Sequence, residues 1–282
     1  MEKEKTILVP YDFTEVAENA LLHANNIADA MKFSITLTNI VKNEKDQSDA
    51  NKKLAKIAAI NLANSGINTD HKIVRGNYLN KIGEIGEVVN AQFAVMGTHG
   101  MKGMQKVLGS HALKVITNSK FPYFITQGEP LHKRGFKNIV MYVDFLITSK
   151  QKVTWAVHIA KLFKSKLHII KDFEKDEYTN ASVERNTNFI MGNLNKNKID
   201  FKLHELSKKN DGLVNETLKL SKEKDADLII VMTTGDGEKG LSDVVFGKKE
   251  QALITNDLDI PVLCINPFDA LLSKHGYSII AR

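Results

Sequence analysis

The feature that most constrains this chain is that it contains itself twice. TILVPYDFTEVAENALLHANNIADAMKFSITL, from Thr6, and NIVMYVDFLITSKQKVTWAVHIAKLFKSKLHI, from Asn138, align without a gap at an offset of 138 − 6 = 132. Under that offset Ile7 meets Ile139, Asp12 meets Asp144, Phe13 meets Phe145, Ala24 meets Ala156, Ile27 meets Ile159, Ala28 meets Ala160 and Lys32 meets Lys164. AQFAVMGTHG from Ala91 then matches ADLIIVMTTG from Ala226 at offset 135, and FPYFIT from Phe121 matches IPVLCI from Ile260 at offset 139. The drift places small loop insertions in the second copy. A solenoid unit spans only ~20–50 residues, so this repeat is a duplicated domain. The seam falls near GEPLHKRG, residues 128–135, whose Gly, Pro and charges suit a linker. The expected domains are 1–133 and 134–282.

Each copy alternates strand and helix. TILVPY is a short apolar run, as in a strand buried on both faces. Thr14 is placed to cap the next helix, in which Ala17, Ala20, Leu21, Ala24, Ile27 and Ala28 recur at spacings of three and four. SITLTNIV is a second strand. A helical stripe runs from Asn51 to Asn64 and stops at Gly66. HKIVRG, a helix over Leu79–Val89, the strand FAVMG, a helix over Val107–Ile116 and the strand FPYFIT complete the copy. The expected fold class is α/β: two tandem open-sheet domains, each a five-stranded parallel sheet with helices on both faces.

Composition narrows the function. With 43% hydrophobic and 26% charged residues, the chain is neither collagen-like, coiled-coil nor disordered. No apolar run approaches the ~18 residues of a membrane span. MEKEKTILVP lacks the basic start and long apolar core of a secretory leader. The single cysteine, Cys264, has no internal partner for a disulfide, and the cytoplasm is the expected compartment. The net charge of +6 divides evenly: 16 basic against 13 acidic residues in 1–133, and 23 against 20 in 134–282. A nucleic-acid binder concentrates its basic excess, so no nucleic-acid partner is expected. His71, His99 and His111 are scattered over different elements, and no spacing suggests a metal cage.

A parallel sheet binds ligands beyond the carboxyl ends of its strands, where strand order reverses. In the first copy, one strand ends in Pro10-Tyr11-Asp12, the second near Asn39-Ile40 and the fourth in Met96-Gly97-Thr98-His99-Gly100. After Gly100 come Gly103, Gly109 and Ser110, the last at the head of a helix. Glycines let backbone approach a ligand, and a helix N-terminus suits phosphate. Gly-Ser opening a helix is also an ordinary cap, but its place after a parallel strand and a glycine cluster favours an anion site. Asp12 either caps the first helix or contacts the ligand. Met101 and Met104 cover the loop, and His23 and His158 are expected at surface or boundary positions.

GTHG after an apolar strand, then GS opening a helix, resembles the signature of universal stress proteins, and VPYDFTE is similar to that family's opening strand. The resemblance covers nearly all of both copies and implies a fold like that of the adenine nucleotide alpha hydrolase-like domains. One branch of the family binds ATP through Gly, two residues, Gly, nine residues, Gly, then Ser or Thr. Gly97 and Gly100 match the first pair and Gly109-Ser110 the second, with eight residues between them in place of nine. By the resemblance Asp12 accepts a hydrogen bond from the adenosine part, with Pro10 and Tyr11 close to the base. Ile40 lines the adenine pocket, and Met96 and Gly97 pass beside the nucleoside. Gly100, Gly109, Ser110 and His111 present N–H groups to the phosphates.

The ligand implied is ATP, ADP or AMP, with Mg²⁺ as an optional companion. The resemblance also implies that FPYFIT and IPVLCI pair within the chain, as single-domain members pair in dimers; a homodimer of the whole chain is a further option.

The second copy keeps Asp144 and Gly235 but has Met232 for Gly97, Thr234 for His99 and Lys248 for Ser110. Its loop from Gly235 to Gly247 holds eleven residues, and Asp236, Glu238, Asp243 and Glu250 bring acids to it. A degenerate site is expected there. The leading expectation is a stress-response regulatory protein that binds an adenine nucleotide in its first domain without efficient catalysis. The alternative is a ligand-free tandem scaffold. A slow ATPase fares worst, because no Walker-type GK[ST] is present.

Overall fold

The structure is a computed structural model that describes residues 4–98, 110–117, 119, 121–128, 135–206, 211–235, 244–245 and 247–267. The chain forms two compact units, Met1–Lys133 and Arg134–Arg282.

In the first unit the elements are β1 (Thr6–Pro10), α1 (Glu15–Met31), β2 (Ser34–Val41), α2 (Gln47–Ser65), β3 (Thr69–Arg75), α3 (Tyr78–Val88), β4 (Ala91–Gly97), α4 (Ser110–Thr117) and β5 (Tyr123–Thr126). The strands pair in parallel in the order β3-β2-β1-β4-β5. All of β1 is buried, as its unbroken apolar run requires. The chain builds the sheet outward from β1 to β3, then crosses back to place β4 on the other side of β1. Right-handed crossovers put α1 and α2 on one face and α3 and α4 on the other. Asn25 and Asn61 exchange side-chain hydrogen bonds of 2.7 and 2.9 Å between α1 and α2, and α3 packs against α4.

Thr14 caps α1, its Oγ1 accepting from Ala17 N at 3.3 Å. The expected apolar stripe is buried, and so is His23, which the sequence puts at a surface or boundary position. His23 lies between Leu22 and Ala24 on the flank of the stripe, and its Nε2 bonds the Gly128 carbonyl at 3.1 Å, where the neutral ring donates. Burial pushes its pKa down to about 4, against the opposing pull of that hydrogen bond. Helix α2 begins four residues before its apolar stripe, because a 3-10 turn at Glu44–Asp46 leads straight into it.

In the second unit the elements are β6 (Asn138–Val143), α5 (Val153–Phe163), β7 (Lys166–Lys171), α6 (Glu177–Lys196), β8 (Phe201–Glu205), α7 (Leu213–Glu223), β9 (Leu228–Met232), β10 (Thr234–Gly235), β11 (Val244–Val245), α8 (Lys248–Ile254) and β12 (Val262–Ile265). Strands β12-β9-β6-β7-β8 pair in parallel, and β10 pairs antiparallel with β11. The repeat extends to the helix caps: Lys32 ends α1 and Lys164 ends α5, both left-handed, at φ 56° and 53°. The two copies differ at the start of that helix. Ile147–Lys152, which align with the first six residues of α1, form a 3-10 segment instead. Among the described residues no helix is long and apolar enough to cross a membrane.

Candidate functional site

Strand order reverses in the first unit between β1 and β4, so the residues beyond those two strands define the candidate site. Pro10 and Tyr11 are both buried. Tyr11 N donates to the Thr38 carbonyl at 2.8 Å, and the Tyr11 carbonyl accepts from Asn39 Nδ2 at 2.8 Å. Burial, and then the charges of Glu18 and Asp12, push the Tyr11 phenol up to about 12. Tyr11 therefore fixes the turn and keeps its side chain inside.

Asp12 is exposed, and it is not the cap of α1. Its Oδ1 accepts from Thr14 N at 3.2 Å and from Thr14 Oγ1 at 2.6 Å, so it holds the residue that caps. The turn forces Phe13 into the left-handed region at φ 66°, uncommon for so bulky a residue. The Phe13 ring meets Tyr11 edge to face at 5.7 Å. Phe145, its counterpart, does not adopt that conformation.

Ile40 sits half-buried near the end of β2, paired with Val74 of β3. Met96 is buried at the end of β4, and Gly97 pairs with Thr126. A Cβ on Gly97 would lie 2.6 Å from Val16 Cγ1 and 2.9 Å from the Val16 carbonyl carbon. Gly97, which the resemblance sets beside the nucleoside, therefore has the place of its missing Cβ packed against the first turn of α1. Ser110 and His111 open α4. Gly100 and Gly109 lie outside the described residues, as does His99.

Tyr78 belongs to this group and was missed in the sequence. It is the first residue of α3, and its hydroxyl donates to Met96 Sδ at 3.7 Å. Burial of the hydroxyl, and then the charge of Asp12, push its pKa up to about 12, while the residue as a whole stays 37% exposed. The available signal was an aromatic residue two positions after Gly76, at the carboxyl end of the third strand.

The same place in the second unit is built differently. Matched registers, Thr6 with Ser34 and Asn138 with Lys166, make Asp172 the counterpart of Ile40. Leu213 begins α7 where Tyr78 begins α3, and Met232 ends β9 where Gly97 ends β4. The offsets also replace Pro10 by Tyr142, Ala20 by Lys152 and Ala112 by Glu250. These last three come together. Lys152 has no solvent exposure, and its Nζ lies 4.1 Å from the Tyr142 ring centroid with no hydrogen-bond partner among the described residues. Tyr142 Oη donates to Glu250 Oε1 at 2.8 Å. Burial pushes the Lys152 pKa down to about 8, against the opposing pull of Asp144 and Glu250.

Glu250, expected as an acid beside the loop, is buried in α8. Asp144 is buried too, its Oδ1 accepting from Leu146 N at 3.2 Å. Burial first, and then Asp144, raise the carboxyl of Asp172, while the Phe173 N–H and Lys249, 3.9 Å away, lower it. Among the described residues no three His, Cys, Asp or Glu side chains gather as metal ligands.

Fold and site together define a tandem of open parallel α/β units, one with an exposed aspartate at its switch point, the other with Lys152, Tyr142 and Glu250 buried together. The chain belongs to the universal stress protein family, whose family model matches residues 4–127 and again 135–266. Among solved structures, a universal stress protein from Archaeoglobus fulgidus DSM 4304 is 19% identical, covers 94% of this chain and 99% of its own, and superposes with a TM-score of 0.74. A functionally unknown protein from Pseudomonas aeruginosa PAO1 is 18% identical over 99% of this chain and 95% of its own, with a TM-score of 0.67. These two likenesses concern the fold. No curated protein matches the chain.

Proposed function

We propose that the first unit binds an adenine nucleotide, ATP or its ADP or AMP relatives, and that the second unit does not. In this reading the protein is a regulatory binder in a stress response, without efficient turnover. The observation that carries it is the contrast at one topological position. In the first unit Asp12 is exposed and acts electrostatically on Tyr78, whose hydroxyl meets Met96 at the end of β4, and in the sequence β4 is followed by the glycine-rich stretch that leads to α4. In the second unit the corresponding space holds Lys152, Tyr142 and Glu250, with a carboxylate at the adenine-lining position. The N-terminus of α4 supplies backbone N–H groups and a partial positive charge for phosphate. Mg²⁺, where it accompanies ATP, arrives on the phosphates.

A ligand-free scaffold is the second reading, and the packing of Gly97 on Val16 favours it by giving that glycine a purely structural reason. Melting temperature with and without ATP separates the two. If Ser110 caps α4, Ser110→Ala costs about 0.5–2 kcal/mol of stability while Ser110→Asp costs little; on the nucleotide reading Ser110→Asp also sets a negative charge against the phosphates. ATP should raise the melting temperature of the parent, less in Ser110→Ala and least in Ser110→Asp. Equal shifts in all three, or none, favour the scaffold or a site elsewhere.

A further inference from the structure

Resting on that nucleotide-binding reading, we propose that Tyr78 reads the nucleoside of the ligand, its hydroxyl leaving Met96 to donate to the adenosine part beside Asp12. The first support is position. Tyr78 begins α3, just past the carboxyl end of β3, yet its hydroxyl reaches Met96 on β4 and lies within the field of Asp12 after β1. Its contact thus lies at the end of β4, one of the two strands between which the order reverses.

The second support is the quality of its present bond. A thioether sulfur is a weak acceptor, and a phenol held on one at 3.7 Å gives up little when a sugar oxygen or ring nitrogen replaces it. Asp12 offers only acceptor oxygens, so a neighbouring donor completes a pair that can grip a group carrying both functions, as ribose hydroxyls do. A phenol raised to about 12 remains a donor at every physiological pH.

The third support is the internal control. Leu213 holds the corresponding place in the second unit and is buried, so the phenol is missing where Ile40, Gly97 and Ala20 have also been replaced.

Tyr78→Phe tests this, because it keeps the ring and removes only the hydroxyl. Calorimetric titrations of the whole chain with ATP and with AMP should show about three- to tenfold weaker binding of both, the ordinary worth of one hydrogen bond. The melting temperature without ligand should stay unchanged. Unaltered affinity in Tyr78→Phe overturns the assignment while leaving the nucleotide site standing. A loss confined to ATP overturns it by placing the contact on the outer phosphates. A parent chain that binds neither overturns this inference and the function it rests on together.

Discussion

The ammonium of Lys152 lies 4.1 Å from the ring centroid of Tyr142, where the first unit carries Ala20 and Pro10. Among the described residues no hydrogen bond or ion pair holds this ammonium; the charges of Asp144 and Glu250 favour it, but burial outweighs them. Removing one partner of a buried charge group leaves the others uncompensated and costs about 3–5 kcal/mol. Lys152 forms no such contacting pair, so Lys152→Met should destabilise the second unit at neutral pH by less than that, through the pull it removes from the buried Glu250 and Asp144. Adding Glu250→Gln should restore much of the loss, since the two sites are coupled. Trp155 in α5 is the chain's single tryptophan, so its fluorescence in urea reports this unit. A Lys152→Met variant as stable as the parent would show that the ammonium exerts no such pull on those carboxylates.

Gly97 offers a second test. Its missing side chain leaves room for Val16, so even Gly97→Ala overpacks the contact between β4 and α1. The cost should be about 1–3 kcal/mol, visible as a lower melting temperature by circular dichroism without ligand. Gly97→Met should be worse. An unchanged melting temperature would mean that Val16 yields freely and that only a ligand needs the glycine.

Architecture was readable from the chain because the signals that set it are local and repeated. Alternating apolar runs, Thr14 before α1 and the repeated Lys32 and Lys164 all serve secondary structure within a few residues. The site was less readable because its contacts cross between elements. Tyr78 meets Met96 across eighteen residues, and Lys152 faces Glu250 across nearly a hundred. Of the two readings of Asp12, helix cap or ligand contact, the cap falls to Thr14, which Asp12 supports from an exposed position. His23 read as a boundary residue because nothing local reveals that the Gly128 carbonyl, 105 positions away, supplies its partner.

His23 also makes stability depend on pH. Its pKa is lowered to about 4 in the folded chain, below the ordinary 6.5, so the unfolded state binds the proton first. Its contribution is complete above pH 6.5 and is lost as pH falls through 4. His168 is lowered into the same window by burial and then by His204, so the His23 share needs a variant. His23→Gln keeps a donor for Gly128 and should flatten the fall in stability between pH 6.5 and 4 for the first unit. An equally steep fall in the variant would contradict the assignment.

Phe13 provides a fourth test. A bulky residue in the left-handed region pays about 1–2 kcal/mol, which Asn largely avoids. Phe13→Asn should thus be milder than Phe145→Asn by about that margin, because only Phe13 is left-handed. Equal losses in thermal unfolding would show that the turn at Asp12 and Thr14 carries no strain.

The central claim is that one of two similar units keeps the nucleotide site. Calorimetric titration of the whole chain with ATP measures it directly. The account predicts one nucleotide per chain, with the same stoichiometry in Lys152→Met provided the variant is folded. Two equivalent sites per chain would contradict it.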